Sequence, residues 1–161
     1  MRKLDSGLAA FETGFIVILV ALLLVAGVTQ FILRNIFHSG LLWLEPLSRY
    51  LVVWIAFTGA LRATAEGRHI KIDIAPRILS GRMGMVIQSI TSCAAAIVSF
   101  LLSRWALSFV QTEREFGDLA FLEVPTWVAL AIIPLGFFGI ALRFIVRGAI
   151  QFRRIFSAEH S

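Results

Sequence analysis

Three long runs without a single charged residue constrain this chain more than any other feature. Residues 13–33, 83–103 and 124–142 contain no Asp, Glu, Lys or Arg over 21, 21 and 19 residues respectively. A helix of about 20 apolar residues crosses the hydrocarbon core of a bilayer. Within that core, only helices and closed barrels satisfy every backbone hydrogen bond. The pattern therefore predicts an all-α integral membrane protein.

The composition argues against the main alternatives. Hydrophobic residues make up 58% of the chain and charged residues 16%, whereas a typical soluble domain is about 25% charged. Intrinsic disorder requires low hydrophobicity. The net charge of +5 is spread between apolar blocks, and nucleic-acid binding would need one basic patch. We therefore expect a single membrane domain over residues 1–161, with membrane lipids and not nucleic acid as a partner.

The segment before the basic middle of the chain leaves two alternatives open. Its charge-free part, residues 50–61, has only 12 residues, which alone would suit a re-entrant piece. Extended back to Pro46, it becomes a span over residues 46–65, because the long side chain of Arg49 can reach the headgroups. Proline also suits the first turn of a helix. Residues 41–44 would then form a short interfacial amphipathic segment before this span.

The distribution of basic residues favours four spans, at about residues 12–34, 46–65, 83–106 and 124–146. With four spans, 11 of the 15 Lys and Arg residues lie on one side of the membrane and 4 on the other. The richer side faces the cytoplasm, which places both termini there. Three spans would remove this asymmetry. Aromatic residues that favour the membrane interface fall near the predicted outer ends: Trp43, Trp105 and Trp127.

Few residues in the spans could carry chemistry. The sequence has no nucleophile motif, phosphate loop or clustered metal ligands, so we expect no catalytic residue, cofactor or metal. Glu12 is interpreted as an end residue that reaches for the headgroups, with a transport carboxylate inside the membrane as the alternative. Pro134 can kink the last span. Small residues on one face of the third span predict close helix packing: Ser89, Ser92, Ala95, Ala96, Ser99 and Ser103.

The most informative stretch is residues 43–76, WLEPLSRYLVVWIAFTGALRATAEGRHIKIDIAP. Glu45 and Arg49 are four residues apart, in the order that stabilises a helix. From His69 onward, apolar and polar residues alternate as in an extended strip, and Pro76 favours an extended residue before it. Such a strip could lie on the cytoplasmic headgroups or dock on a protein.

This stretch resembles the small membrane subunit of TRAP transporters, the DctQ-like family. The family pattern has an acidic residue and an arginine at the start of the second span, a tryptophan and a small patch within it, and a Gly-x-His strip after it. Pro46 departs from the pattern, since the family often has a second acidic residue there. The matching residues are Glu45, Arg49, Trp54, Gly59, Gly67, His69, Ile70 and Asp73.

The resemblance implies a function that the residues alone do not give. Such systems combine an extracytoplasmic solute-binding protein, a large permease subunit and this small subunit in the bacterial inner membrane. They take up organic acids such as dicarboxylates, driven by an ion gradient and not by ATP. The small subunit is expected to be a non-enzymatic scaffold for the large one. Its expected contact residues are Glu45, Arg49, Trp54, Gly59, Arg68, His69 and Asp73.

A second hypothesis is a self-sufficient four-helix exporter of the multidrug type. Such a protein would act as a dimer around an intramembrane carboxylate, which here would have to be Glu12.

Overall fold

The computed structural model describes residues 2–65 and 82–157, with side chains described for residues 10–65 and 87–150. Most of this chain is helical, as the sequence predicts. One small antiparallel hairpin lies within residues 119–125. The helices are α1 Arg2–Ile36, α2 Leu44–Ala65, α3 Arg82–Phe116, α4 Thr126–Leu130 and α5 Ile132–Ser157. The hairpin consists of β1 Leu119–Phe121 and β2 Val124–Pro125.

Three segments are long and apolar enough to cross a membrane: Ala10–Ile36, Ile87–Phe116 and Thr126–Ile150. They confirm the three charge-free runs as candidate spans. The helix α2 has 22 residues, which at 1.5 Å per residue extend over about 33 Å. It is not among the three, since it carries Glu45, Arg49 and Arg62. A fourth span and the side of the membrane on which the termini lie stay predictions.

A short turn connects α1 to α2. The φ angle of His38 is +48°, which reverses the chain direction after α1. The N–H of Leu44 donates to the carbonyl of Leu41 at 3.1 Å, and α2 begins at Leu44. The segment predicted to lie flat in the interface, residues 41–44, is therefore a tight turn that leads directly into α2.

The kink predicted near Pro134 corresponds to a one-residue interruption at Ala131 between α4 and α5, where the backbone keeps helical angles (φ −58°, ψ −22°). Proline has no N–H to donate to the carbonyl four residues earlier, and its ring crowds that carbonyl. The affected residue is Leu130, where α4 ends. The N–H of Ala131 instead donates to Val128 O at 3.3 Å, and α5 begins at the next residue.

The long helices pack side by side, with extensive contacts in the order α1, α2, α5, α3. The small-residue face of α3 packs against α5, where Ser92, Ser99 and Ser103 are buried. The hydroxyl of Ser103 donates to Pro134 O at 2.9 Å, which joins α3 to the first turn of α5. The prediction of close packing on this face is confirmed, and the neighbour is a helix of the same chain.

Two glycines allow α5 to approach α2 closely. A Cβ atom built on Gly139 would lie 2.7 Å from Cδ2 of Leu61, and one on Gly136 would overlap the ring of Phe57. The same ring meets Phe137 edge-on, with centroids 5.1 Å apart. The helices α2 and α5 therefore meet with side chains of one against the bare backbone of the other.

The hairpin was not predicted from the sequence, which placed the start of the last span at residue 124. Leu122 and Glu123 form its turn with φ angles of +45° and +63°. A two-residue turn with two positive φ angles usually has the sequence Asn-Gly or Asp-Gly. Neither dipeptide occurs at this turn. The ring of Phe121 lies 5.9 Å from the ring of Tyr50, which fixes the hairpin against the start of α2.

Candidate functional site

One face of α2 carries mostly small and charged residues; it is exposed from Glu45 to Ala56 and half-buried at Gly59 and Ala63. Its members recur every three or four residues and therefore form one stripe along the helix. We call them the α2 stripe: Glu45, Arg49, Val52, Ala56, Gly59 and Ala63.

The charged end of the α2 stripe holds an ion pair. Arg49 Nη2 donates to Glu45 Oε1 at 2.6 Å, and the two side chains are 76% and 67% exposed. The predicted pairing of these residues on one helix face is therefore observed. Further along the stripe, Gly59 has no atom within 4 Å of where a Cβ would lie. Another helix could approach the backbone closely at this point.

The open faces of α1 and α3 differ in kind from the α2 stripe. They are dominated by large apolar side chains, which match the hydrocarbon of a lipid bilayer. On α1 they include Val17, Ile18, Leu24, Val25 and Phe31, and on α3 they include Ile97, Val98, Leu101 and Phe109.

Trp54 lies on the opposite side of α2 from the stripe. Its indole Nε1 donates to Ala129 O on α4 at 2.8 Å, and its ring is 6.2 Å from the ring of Phe15 on α1. The hydroxyl of Thr58 donates to Trp54 O at 2.7 Å. The indole N–H thus joins helices of this chain, and a contact between Trp54 and a partner protein stays a prediction.

The three remaining predicted contact residues, Arg68, His69 and Asp73, lie outside the residues that the structure describes. So does the extended strip predicted from His69 onward.

The three tryptophans predicted as interface anchors have different surroundings. Trp105 on α3 is 75% exposed, while Trp43 and Trp127 are half-buried. The guanidinium of Arg114 lies 5.4 Å from the ring centroid of Trp127, within range of a cation–π interaction. Trp127 therefore packs beneath the end of α3, and an anchoring role for all three residues stays a prediction.

Glu12 does not behave as the end residue that the sequence suggested. Its side chain is only 13% exposed, and Oε1 forms an ion pair with Nη2 of Arg143 on α5. Nη1 of Arg143 donates to the carbonyl of Leu61 on α2. One turn later, Arg147 Nη2 donates to Thr64 O at 2.9 Å. The interpretation of Glu12 as a residue reaching freely for the headgroups is therefore wrong.

Sequence reasoning counted Arg143 only as one of the basic residues that set the topology. A carboxylate at the edge of an apolar run is costly unless it is paired. That rule called for a cation partner of Glu12, but the sequence offered no way to choose among the arginines. The choice depends on where α5 crosses α1 and α2.

An apolar cavity of about 190 Å³ lies between the hairpin and helices α1, α2 and α4. Its lining includes Leu19, Leu51, Trp54, Phe121 and Val128, and no charged side chain reaches it. It therefore offers no positive charge to an anionic substrate. Within residues 10–65 and 87–150, no three His, Cys, Asp or Glu side chains converge as a metal site would require.

The chain is similar to known transporter components. A family model described as "Tripartite ATP-independent periplasmic transporters, DctQ component" matches residues 14–154. A putative TRAP transporter small permease protein of Haemophilus influenzae is 29% identical over 89 residues, which are 55% of this chain and 54% of that protein.

A second relative from Haemophilus influenzae is named sialic acid TRAP transporter permease protein SiaT. It is 23% identical over 94 residues, which are 58% of this chain but only 14% of that much longer protein. The chain thus matches about half the length of one relative and a small part of the other. The family model, in contrast, covers most of the chain. This chain therefore belongs to the DctQ-component family of the tripartite ATP-independent periplasmic transporters.

Proposed function

We propose that this chain is the small membrane subunit of a TRAP secondary transporter and that it serves as a scaffold for the large permease subunit. The observation that carries the proposal is the family match over residues 14–154. In this proposal the complex lies in the bacterial inner membrane and works with an extracytoplasmic solute-binding protein. It takes up an organic acid such as a dicarboxylate, driven by an ion gradient.

The α2 stripe is the surface that best fits the large subunit. Helix interfaces inside membranes are enriched in small residues. The hydrophobic effect does not drive helices together in lipid, so their association relies on close packing of the backbones. Ala56, Gly59 and Ala63 provide that closeness along the stripe. At one end, Glu45 and Arg49 are exposed as a pair and can exchange hydrogen bonds with a polar partner helix. The bulky apolar faces of α1 and α3 suit lipid instead.

The buried polar groups support a scaffold over a carrier. The hydroxyls of Thr58, Thr64 and Ser92 each donate to the carbonyl four residues earlier in their own helix. Ser103 bonds to the carbonyl of Pro134. These groups stabilise helices and their packing, and they do not line a path along which a solute could move.

The pairing of Glu12 also counts against the exporter hypothesis. A small exporter needs a carboxylate that can bind and release its proton or substrate. In this structure Glu12 is held by the guanidinium of Arg143, and separating a buried pair leaves an uncompensated charge. The scaffold makes no such demand on the residue.

Positive charges support the proposed orientation. The basic ends of α1 and α5, and the stretch that follows α2, hold most of the 15 Lys and Arg residues. With α2 as a fourth span, these regions share one side, which the distribution of basic residues assigns to the cytoplasm. Both termini are therefore proposed to be cytoplasmic.

The proposal can be tested by co-purification of the tagged subunit with the large permease. The informative variant is Gly59→Leu, which places a bulky side chain in the open part of the α2 stripe. Its matched control is Gly27→Leu on α1, where a Cβ also meets open space but the surrounding face is bulky and apolar. We expect Gly59→Leu to lose the large subunit and Gly27→Leu to retain it.

Liposomes with both membrane subunits and the binding protein would then be assayed for uptake. Transport should require an ion gradient and should fall with Gly59→Leu in parallel with co-purification. Transport by this chain alone would overturn the scaffold proposal. Normal assembly of the Gly59→Leu variant would overturn the assignment of the α2 stripe.

A further inference from the structure

The two terminal nitrogens of Arg143 bind two different neighbouring helices. From α5, Nη2 donates to the carboxylate of Glu12 on α1 and Nη1 donates to the carbonyl of Leu61 on α2. A guanidinium carries its donors in a fixed planar fork. The positions of its two acceptors, and therefore of the two helices, are tied to each other.

The surroundings make these contacts hard to release. The side chains of Arg143 and Glu12 are 26% and 13% exposed. The second carboxylate oxygen of Glu12, Oε2, is buried and accepts no hydrogen bond from the described residues. Arg143 therefore compensates the negative charge of this carboxylate. Removal of either partner would leave an unpaired charge in a poorly solvated place.

The packing of α1 shows why such a link matters. The extensive contacts of α1 are with α2, whereas α2 also packs closely on α5. Near Glu12, α1 meets α2 through the rings of Phe15 and Trp54. Apolar packing of this kind is less directional than a hydrogen bond between charged groups. The fork of Arg143 adds the directional contact that the apolar surfaces lack.

We propose that Arg143 is a positioning residue that acts as a forked clamp. It fixes the part of α1 around Glu12 and the end of α2 around Leu61 relative to α5. The clamp holds α2 in one rotation and tilt and thereby sets the direction in which the α2 stripe faces. This consequence for assembly rests on the proposed function, whereas the clamp itself is a property of the isolated subunit.

Arg147 provides a matched control one turn away. It donates to Thr64 O through one nitrogen, Nη2. Lysine keeps the charge of arginine but carries all its donors on a single nitrogen. The change Arg147→Lys can preserve that single contact, whereas Arg143→Lys replaces two donor nitrogens at a fixed spacing by one nitrogen, which no longer sets the distance between the two acceptors. A role of charge alone would be rescued equally at both positions.

The test measures a distance in the purified small subunit in lipid nanodiscs, without the large permease. Spin labels are placed at two exposed residues, Val17 on α1 and Ile145 on α5, after Cys93 is replaced by Ser. We expect one narrow distance distribution in the parent and in Arg147→Lys, and a broad or shifted one in Arg143→Lys and Glu12→Gln. Glu12→Gln, which leaves Arg143 without its carboxylate, should also lower the unfolding temperature by on the order of 10 °C.

Equal distance distributions for Arg143→Lys and Arg147→Lys would overturn the clamp. If Arg143→Lys does not fold, the labels go into a Glu12→Gln and Arg143→Gln double variant, which leaves no unpaired charge. A narrow, unshifted distribution in that variant would also refute the proposal. Because no partner is present, failure of the clamp is distinguishable from failure of the scaffold function, which the co-purification measures.

Discussion

The contact between α2 and α5 allows one prediction to be worked out in detail. The change is Gly136→Ala in α5. The new Cβ would lie 3.0 Å from Cγ and 3.1 Å from Cβ of Phe57, and closer still to Cδ1. Atoms near the root of a side chain cannot move aside without moving the helix that carries them. The substitution therefore forces α2 and α5 apart or pushes the ring of Phe57 from its place.

The magnitude follows from two opposing effects. Extra carbon in a well-packed contact costs about 1–3 kcal/mol. Alanine in place of glycine gains about 1 kcal/mol of helix propensity. The control Gly148→Ala, also in α5, brings the same gain without the clash, because its Cβ would lie 3.8 Å from Ser92 Cβ. The difference between the two variants isolates the clash and should be about 1–3 kcal/mol.

Thermal unfolding of the purified subunit in detergent measures this difference. For a chain of this size, 1 kcal/mol changes the unfolding temperature by about 2–4 °C. We expect Gly136→Ala to unfold roughly 2–12 °C below Gly148→Ala, and a second change, Phe57→Leu, to recover part of the loss. Equal unfolding temperatures for the two alanine variants would refute the close contact between α2 and α5.

Two further predictions concern topology and assembly. Reporter fusions after Arg82 and at the C-terminus should report the cytoplasm, since four spans place the basic regions together on that side. Fusions near Gly40 and Gly117 should report the outside. A cytoplasmic signal at Gly40 would rule out four spans. Glu45→Ala or Arg49→Ala should weaken co-purification with the large permease while insertion into the membrane is retained, and the charge-swapped double variant should partly recover it. Normal transport by both single variants would reduce the pair to a surface contact.

The clamp and the α2 stripe together suggest how α2 could support the large subunit. Residues of α5 hold α2 from one side, through Gly136 and Gly139 in the middle and Arg143 and Arg147 at the end. The stripe faces the other way, and its residues from Glu45 to Ala56 are exposed. A helix that is fixed on one side and exposed on the other is well suited to support a second protein, because docking then costs little conformational freedom.

Much of the helical architecture was predictable because membrane spans are encoded locally. A charge-free run of about 20 residues is a property of the sequence alone, and three such runs became three candidate spans. The interruption near Ala131, expected as a kink, also has a local cause, since Pro134 removes a hydrogen bond at a known spacing. The small face of α3 indicated close packing before its neighbour was known. These features need no knowledge of which helix lies beside which.

Other features were misread or missed because their cause lies elsewhere in the chain. The hairpin between α3 and α4 lacks the usual turn residues, and contacts such as that between Phe121 and Tyr50 hold it in place. The hydrogen bond from the indole N–H of Trp54 to Ala129, 75 residues later, was missed, while the contact of Trp54 with a partner stays a prediction. Neither partner could be chosen from the spacing of residues along the chain.

By itself, the sequence determined the class of this protein, three of its helices as candidate spans and, through one stretch near Glu45 and Arg49, its family resemblance. These are consequences of hydrophobicity and of short-range spacing, which act within a single helix. Only the tertiary structure decided that Glu12 is neutralised by Arg143, that α2 is held through the glycines of α5, and which face of α2 stays open. Those outcomes depend on how helices far apart in the sequence cross. The effect of a buried charge or of a bare glycine backbone on stability is set by the group that lies opposite it.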